Sequence, residues 1–586
     1  MCGIIGVAGK IPGERLCTSA RDLLAHRGPD GSGAYYDAIE GIALGHRRLS
    51  IIDLSDAGKQ PMHSHDERFV ITFNGEIYNY LELKEELVKS YPFKTKTDTE
   101  VLLAAYATWG ERCLKRLNGM YAFAIWDRKE RVLFCARDRL GIKPLFYHHA
   151  PNGTFFFSSE IKGLGALGVH YAQNDGIIYD YLYYGFYDHS SQTFFKNIDC
   201  LRPGHFLTWK KGKITIKKYW DLAEMRPPEM SLSETDIRDR FEELLSDAIR
   251  LQFRSDVPVG ISLTSGMDSN GLLYFAERKT PRVPQMVSAC YQSATYDECT
   301  LLDASLTASQ RTRWHPHYLK PADVFARVQE MMKIEDQPYG GIATTGLLFM
   351  YERARAEGIT VLLDGDGLDE ILAGYKYYEL DLARDSGRIP VSGSMSQDTS
   401  VFLDHTILSS TFTREYAGRH LDFTTPFNSA LQNAQYRDIK HTRLLRDLRF
   451  KDHASMHASR ELRVPYLDHR LVEFCFFLPL EYKIRNGIHK ALARDVLGYY
   501  VPEIIRTRPK NTFTAVQVEW LRQNHYRDEI FSLLMSPSFR RRGYFDHRAL
   551  MAKVDAFYEG VGSNSFFLWQ CINLELWFRA FIDSKS

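Results

Sequence analysis

The second residue of the chain is a cysteine, followed by the small and β-branched run Gly3-Ile4-Ile5-Gly6. A small residue at position 2 permits removal of Met1. The thiol would then lie beside its own α-amino group, whose ordinary pKa is about 7.7–8.0, and that amine can serve as its base without a histidine. Far along the chain, Asp364, Asp366 and Asp369 fall within six residues behind the apolar run ITVLL. Carboxylates this crowded repel one another and are seldom purely structural. Beside a nucleotide, the hard cation that oxygen ligands favour is Mg2+. A third segment, VGISLTSGMDSNG over 259–271, runs from an apolar strand through a small-residue turn into a helix. Backbone N–H groups and hydroxyls at such a turn make a nest for phosphate, although the GxxxxGK of a P-loop is absent.

These residues need scaffolds of two textures. Up to about residue 165 the chain reads as short strands, among them IIGVAG, FVITFNGEIYN, YAFAIWD and RVLFCARD, punctuated by turn residues and interrupted by helices near 81–89 and 100–109. Residues 203–220 read as a hairpin, and the polar stretch DLAEMRPPEMSLSETD that follows reads as a linker. Beyond it, amphipathic helices such as 237–253 alternate with short apolar strands, the signature of a parallel sheet with crossover helices. The last third, from about residue 400, has mostly helical periodicity.

Composition narrows the function classes. The 74 Lys and Arg balance 73 Asp and Glu in 586 residues, so no global charge draws the chain to nucleic acid or an anionic membrane. The 35 Phe and 33 Tyr exclude a disordered chain. Nine scattered cysteines without a CxxC pair argue against a disulfide framework or structural zinc, and the expected compartment is the cytoplasm. No apolar run reaches the ~20 residues of a membrane helix.

Six segments then follow in order over residues 2–165: MCGIIG, AHRGPDGSG, HRRLSIID, NGEIYN, TDTE and RDRLGIKPLFY, with GMYAFAIWD between the last two. This series resembles class II glutamine amidotransferases, which belong to the N-terminal nucleophile hydrolases. The resemblance implies an αββα sandwich with Cys2 as nucleophile. Asn74 and Gly75 would supply the oxyanion hole, Arg48 would hold the glutamine α-carboxylate, Asp98 would hold its α-ammonium, and Glu76 would join Asn74 among the glutamine-binding residues.

The second half resembles the ATP pyrophosphatase-type domain of asparagine synthetases. Thr264-Ser265-Gly266-Met267-Asp268-Ser269 matches the pyrophosphate motif SGGxDS, with Thr264 for Ser and Ser265 for Gly. The stretch 364–370 matches SGEGSDE, with Asp364 and Leu368 for two serines and Asp366 for the Glu. ELRVPYLDHRLVEF and NGIHKALARDVL match further segments of that domain. The resemblance implies a doubly wound parallel sheet with a helical extension. It places Leu263, Thr264, Ser265, Gly266, Asp268, Ser269, Gly365 and Lys490 at ATP and pyrophosphate, Asp268 and Asp369 on Mg2+, Asp366 at the acid–base position and Lys490 as the active-site lysine. Lys510 is a second basic candidate. His453, standing where relatives carry Arg, is expected to alter the acceptor pocket.

The resemblance therefore implies a glutaminase domain over 2–220, a linker over 221–235 and an adenylating domain over 236–586. Ammonia from glutamine would pass through an internal tunnel to an acyl-adenylate made with ATP and Mg2+. Aspartate is the simplest acceptor; a sugar uronic acid or a peptide terminus stays open, as does a non-catalytic paralogue that binds nucleotide or a partner. The expected ligands are small molecules, without nucleic acid or membrane, and a homodimer is left open.

Overall fold

The computed structural model describes residues 2–225, 233–280, 283–291, 293, 298–385, 404–507, 514–562 and 564–583. The N-terminal half contains two antiparallel sheets. One has β1 (Cys2–Ala8), β2 (Gly31–Asp37), β3 (Ile42–Arg48), β8 (Phe146–His149), β9 (Phe155–Ser158) and β10 (Asp199–Cys200), in the order β10-β8-β9-β1-β3-β2. The other has β4 (Met62–His63), β5 (Phe69–Ile77), β6 (Gly119–Asp127), β7 (Val132–Arg137), β11 (His205–Lys210) and β12 (Lys213–Lys218), in the order β12-β11-β7-β6-β5-β4.

Alternation along the strands sorts their side chains into layers. Ile4, Leu44, Val70, Ala124 and Leu133 meet between the two sheets. Ile5 and Val7 face the other way, onto Ala20 and Leu24 at the helix Glu14–Asp22. Phe73 and Phe123 pack on Leu102 and Leu103 of the helix Asp98–Trp109. Helix, sheet, sheet and helix therefore stack in that order, the αββα sandwich implied by the sequence motifs.

In the C-terminal half, β13 (Val259–Ser262), β14 (Gln285–Tyr291), β15 (Trp314–Leu319), β16 (Val361–Leu363) and β17 (Glu461–Arg463) form a wholly parallel sheet in the order β15-β14-β13-β16-β17. Ile261, Met286 and Leu363 point to a core shared with the helices Glu234–Gln252 and Met267–Lys279. Val287, Leu319 and Leu362 point to the opposite core, which holds Leu348 and Tyr351 of the helix Ile342–Ala356. Helices thus cover both faces, as a buried parallel sheet requires. The chain reverses direction in the sheet at β13: strands β14 and β15 add on one side of it, β16 on the other. The gap between the C-terminal ends of β13 and β16 is the topological switch point, where such sheets bind ligands.

Of the expected linker, residues 226–232 lie outside the described residues. Its flanks are ordered: Asp221 caps a single turn, Leu222–Glu224, and Ser233 forms a capping box with Asp236 that starts the next helix at Glu234. One cysteine pair departs from the expectation of free thiols. Cys290 at the end of β14 is disulfide-bonded to Cys299, their Cα atoms 5.6 Å apart, within the usual bridging range.

The halves are not beads on a string. Leu49, Ile51, Met120 and Ile142 lie in the same apolar cluster as Leu244, Ile261 and Leu467. At the seam, fully buried Arg27 donates from Nη2 to Asp452 (2.9 Å) and from Nη1 to Glu160 (2.9 Å), and Lys143 Nζ donates to the other Asp452 oxygen (3.1 Å). Burial pushes the Asp452 carboxyl up, but Arg27 and Lys143 win and hold it below the usual range. His453 is the next residue of the same helix. It is buried with Nδ1 donating to the Ile334 carbonyl (3.1 Å) and its ring edge-on to Phe146, because it lies on the face of the helix Arg443–His457 turned to the N-terminal half.

Burial holds the His453 imidazole down to about 3. The unfolded chain, with its histidine near 6.5, therefore binds a proton that the folded chain refuses between these two values. The His453 contribution to stability is intact above pH 6.5 and is lost as pH falls below it, by about 1.4 kcal/mol per pH unit. His453→Gln should accordingly show a thermal midpoint that falls less steeply than wild type from pH 6.5 to 4.5. Parallel curves in differential scanning calorimetry would contradict this.

Candidate active sites

The first site forms where the two sheets of the sandwich meet. β1 lies between β9 and β3, and its first residue, Cys2, pairs in register with Arg48 at the end of β3. The other sheet brings β5 to the same place. The Cys2 N–H donates to Asn74 Oδ1 at 3.0 Å. The Asn74 side-chain Nδ2 is buried and has no hydrogen-bond partner among the described residues. A buried N–H without a partner costs about 1–3 kcal/mol, and one held beside a nucleophile is the donor that an oxyanion needs. Gly75 follows, and no other residue fits: a Cβ there would stand 2.1 Å from the Met120 carbonyl oxygen. Burial pushes the Cys2 thiol up, opposed in part by the Leu49 N–H and the Arg48 guanidinium.

Arg48 is partly engaged by the loop that follows β3. Its Nη1 donates to the Ser55 carbonyl (2.7 Å) and its Nη2 to the carbonyls of Asp53 and Ile52, so the guanidinium organises the loop 52–55. Only Nε–H and one Nη1 hydrogen remain for a carboxylate. Asp98 opens the helix Asp98–Trp109, and its Oδ2 accepts the Ile77 N–H at 2.9 Å. Burial, with Glu461 adding, pushes its carboxyl up to about 6. Glu76 is pushed well up by burial, Asp98 and Glu461, while Arg463 opposes, with its Nη2 3.8 Å from Glu76 Oε1. Glu461 and Arg463, themselves joined at 2.6 Å, come from β17 of the other half. Sequence reasoning assigned them no role; their only signal was two opposite charges inside an otherwise apolar strand.

The second site occupies the switch point. Asp268, after β13, and Asp369, after β16, converge on Lys490 Nζ at 2.6 and 2.7 Å. Against burial, which pushes it down, the two carboxylates hold the Lys490 ammonium above its ordinary range. Gly374 seals the cluster, since a Cβ there would stand 1.9 Å from Asp369 Oδ1 and 2.2 Å from Lys490 Cε. Gly365 touches the neighbouring turn, its ideal Cβ 3.2 Å from both Asp268 Cβ and the Ser269 nitrogen.

The phosphate nest is closed rather than open. The Thr264 N–H donates to Ser269 Oγ (3.0 Å), the Ser265 N–H to Glu298 Oε1 (2.7 Å) and the Gly266 N–H to Thr264 Oγ1 (3.1 Å). Ser265 Oγ also turns to Glu298 (3.1 Å), so the side chain that replaces glycine is drawn aside. Leu263 is bound into the sheet, its N–H on the Val287 carbonyl and its carbonyl accepting from Ser288 Oγ. Glu298 is a third residue that the motifs did not reveal.

The remaining acids pair separately. Lys451 Nζ lies 2.7 Å from both Asp364 Oδ1 and Asp366 Oδ1. Burial, with Asp364 adding, pushes the Asp366 carboxyl well up against the pull of Lys451. Lys510 lies outside the described residues.

Two family models divide the chain at the same place as its two architectures. A glutamine amidotransferase domain matches residues 1–220 and an asparagine synthase model matches 240–579. The chain belongs to the asparagine synthase family. It is similar to asparagine synthetase [glutamine-hydrolyzing] 1 of Bacillus subtilis, 30% identical over 98% of this chain and 97% of the relative. Asparagine synthetase [glutamine-hydrolyzing] 3 of the same organism is 30% identical over 88% and 87%. A protein named Amidase chyE, of Penicillium rubens, is 27% identical over 91% and 89%. This member of the asparagine synthase family is thus a glutamine-dependent amidotransferase.

In a family member with this pocket, Asn74→Ala should lower kcat for glutamine hydrolysis by about 10²–10³-fold, the usual cost of one oxyanion donor. Amide synthesis from added ammonium chloride should continue. A glutaminase assay showing an unchanged kcat would remove Asn74 from the oxyanion hole.

Proposed function

We propose that the enzyme hydrolyses glutamine at Cys2, adenylates an acceptor carboxylate with ATP at the switch point and converts it to an amide. Aspartate, giving asparagine, is the leading acceptor. The observation that carries this reading is the pairing of the two sites in one body: an unpartnered oxyanion donor beside Cys2 and two aspartates sharing one lysine at the switch point. The division into 2–220, 221–235 and 236–586 and a cytoplasmic location complete the proposal.

With Met1 removed, the Cys2 amine takes the thiol proton, and the thiolate attacks the glutamine side-chain carbonyl while Asn74 Nδ2 and the Gly75 N–H receive the oxyanion. The amide nitrogen takes the proton from the Cys2 amine and leaves as ammonia, and water then cleaves the C–S bond of the γ-glutamyl thioester to release glutamate and restore the Cys2 thiol. At the second site the acceptor carboxylate attacks the α-phosphate of ATP, pyrophosphate departs, and ammonia then displaces AMP. A carboxylate needs this activation because it is a poor electrophile with a poor leaving group.

Asp268 and Asp369 fit Mg2+, since they present hard oxygen donors to a point where a positive charge already sits. No set of three ligands surrounds that point among the described residues, so phosphate oxygens would complete the shell. When bound, the ion would neutralise charge on the phosphates. The closed nest implies that phosphate must take over the N–H groups now held by Glu298, Ser269 and Thr264.

A different acceptor is the second reading. Lys451 with Asp364 and Asp366 alters the acceptor side of the site, and a relative named as an amidase aligns along most of the chain.

ATP–pyrophosphate exchange measured across aspartate, uronic acids and peptide carboxylates should single out one acceptor; exchange with none of them would overturn the proposal. Cys2→Ala should abolish glutamine-dependent amide formation yet retain the ammonium-dependent reaction, and equal loss of both would refute separate sites. Asp268→Asn should do the reverse, losing exchange while hydrolysing glutamine at the wild-type rate.

A further inference from the structure

We propose that Lys451 is a positioning residue for amide formation: its ammonium, shared by Asp364 and Asp366, fixes one oxygen of Asp366 and leaves the other turned to the reacting nitrogen. The inference rests on the acyl-adenylate reading above and gives a role to a residue outside the matched motif positions.

The geometry is a closed clamp. Lys451 Nζ holds Oδ1 of both carboxylates at 2.7 Å, and the Asp366 N–H donates to Asp364 Oδ1 at 3.2 Å, so the two acids are locked to each other as well as to the lysine. Asp366 Oδ2 is buried and has no hydrogen-bond partner among the described residues. One ammonium thus serves two carboxylates. An unsatisfied buried acceptor costs about 1–3 kcal/mol, and more when charged, so Oδ2 is poised to take a donor. The backbone that carries the lysine is anchored. It lies within the helix Arg443–His457, and the next residue, Asp452, is gripped by Arg27 and Lys143 of the other half.

Asp366 has one torsion fewer than a glutamate, so a contact on Oδ1 sets where Oδ2 points. As ammonia attacks the acyl-adenylate, the C–N bond forms, the acyl C–O bond to AMP breaks, and the nitrogen must shed a proton. Oδ2 is the acceptor left free for it. Without Lys451, the aspartate would rotate among rotamers and Asp364 would repel it.

The test uses the full-length enzyme with ATP, L-aspartate and ammonium chloride, substituting the acceptor found by exchange if aspartate gives none. Lys451→Met should keep ATP–pyrophosphate exchange within about twofold of wild type while amide formed per AMP released falls ~10-fold or more, within the reach of acid–base catalysis. The acceptor KM should stay near its wild-type value as kcat drops. Lys451→Arg should restore part of the yield, and Lys451→Met should add no further loss to Asp366→Asn. Normal amide yield in Lys451→Met, or fully additive losses in the double variant, would overturn the proposal. So would exchange and amide yield falling in step with the thermal midpoint. If Lys451→Met does not fold, Lys451→Arg decides: a yield per AMP equal to that of Asp366→Asn would also overturn it. Absence of exchange in the wild type with every carboxylate would instead sink the adenylation reading itself.

Discussion

Asp452 is one of the buried carboxylates that join the two halves of this enzyme. It lies buried between Arg27 and Lys143, both from the N-terminal half, and is carried by a helix of the C-terminal half. Removing one partner of such a cluster strands the others in a medium that cannot solvate them, typically at about 3–5 kcal/mol. Arg27 also donates through Nε to the Cys2 carbonyl (3.1 Å). One guanidinium thus touches the backbone of the nucleophile and the anchor of the synthetase helix. The network continues through Glu160 to His26 and Lys162, and from Lys162 to Asp336. Neither half could keep these groups buried alone, which explains why the seam shares apolar cores instead of resting on a linker.

The switch point shows the same economy of charge. The turn after β16 offers Asp364, Asp366 and Asp369, and two lysines divide them. Lys490 takes Asp369 with Asp268; Lys451 takes Asp364 with Asp366. The first bridge stands where metal and phosphates are proposed to bind, the second where the acceptor would be amidated. Both lysines arrive from distant segments, one at the start of a short helix in the left-handed region (φ 55°), the other within a long helix. Glu298 plays a related part at the nest, where it holds the Ser265 N–H that a phosphate would otherwise use. The N–H groups of this turn are therefore held internally, and a bound phosphate would exchange those contacts for its own.

Much of this was legible in the sequence for local reasons. Strand alternation, the strand–turn–helix texture of 259–271 and the ordered motifs of the first 165 residues determined two antiparallel sheets, a parallel sheet and the family. Cys2 and Asn74, far apart in the chain, could be associated because each stands in its own recognisable motif. Asp268 and Asp369 were legible for the same reason.

What only the tertiary structure decided involves partners without a local pattern. Arg27 and Asp452 are 425 positions apart, and nothing in either segment indicates the other. The placement of Glu461 and Arg463 beside Glu76, of Lys451 between two aspartates and of Glu298 on the nest belongs to this class. The same holds for the burial of His453 against Phe146 and for the Cys290–Cys299 bridge. Short-range periodicity dictates which face of an element is buried, but pairing of buried charges depends on which elements meet. That meeting is fixed by the packed cores, and a sequence read residue by residue does not contain it.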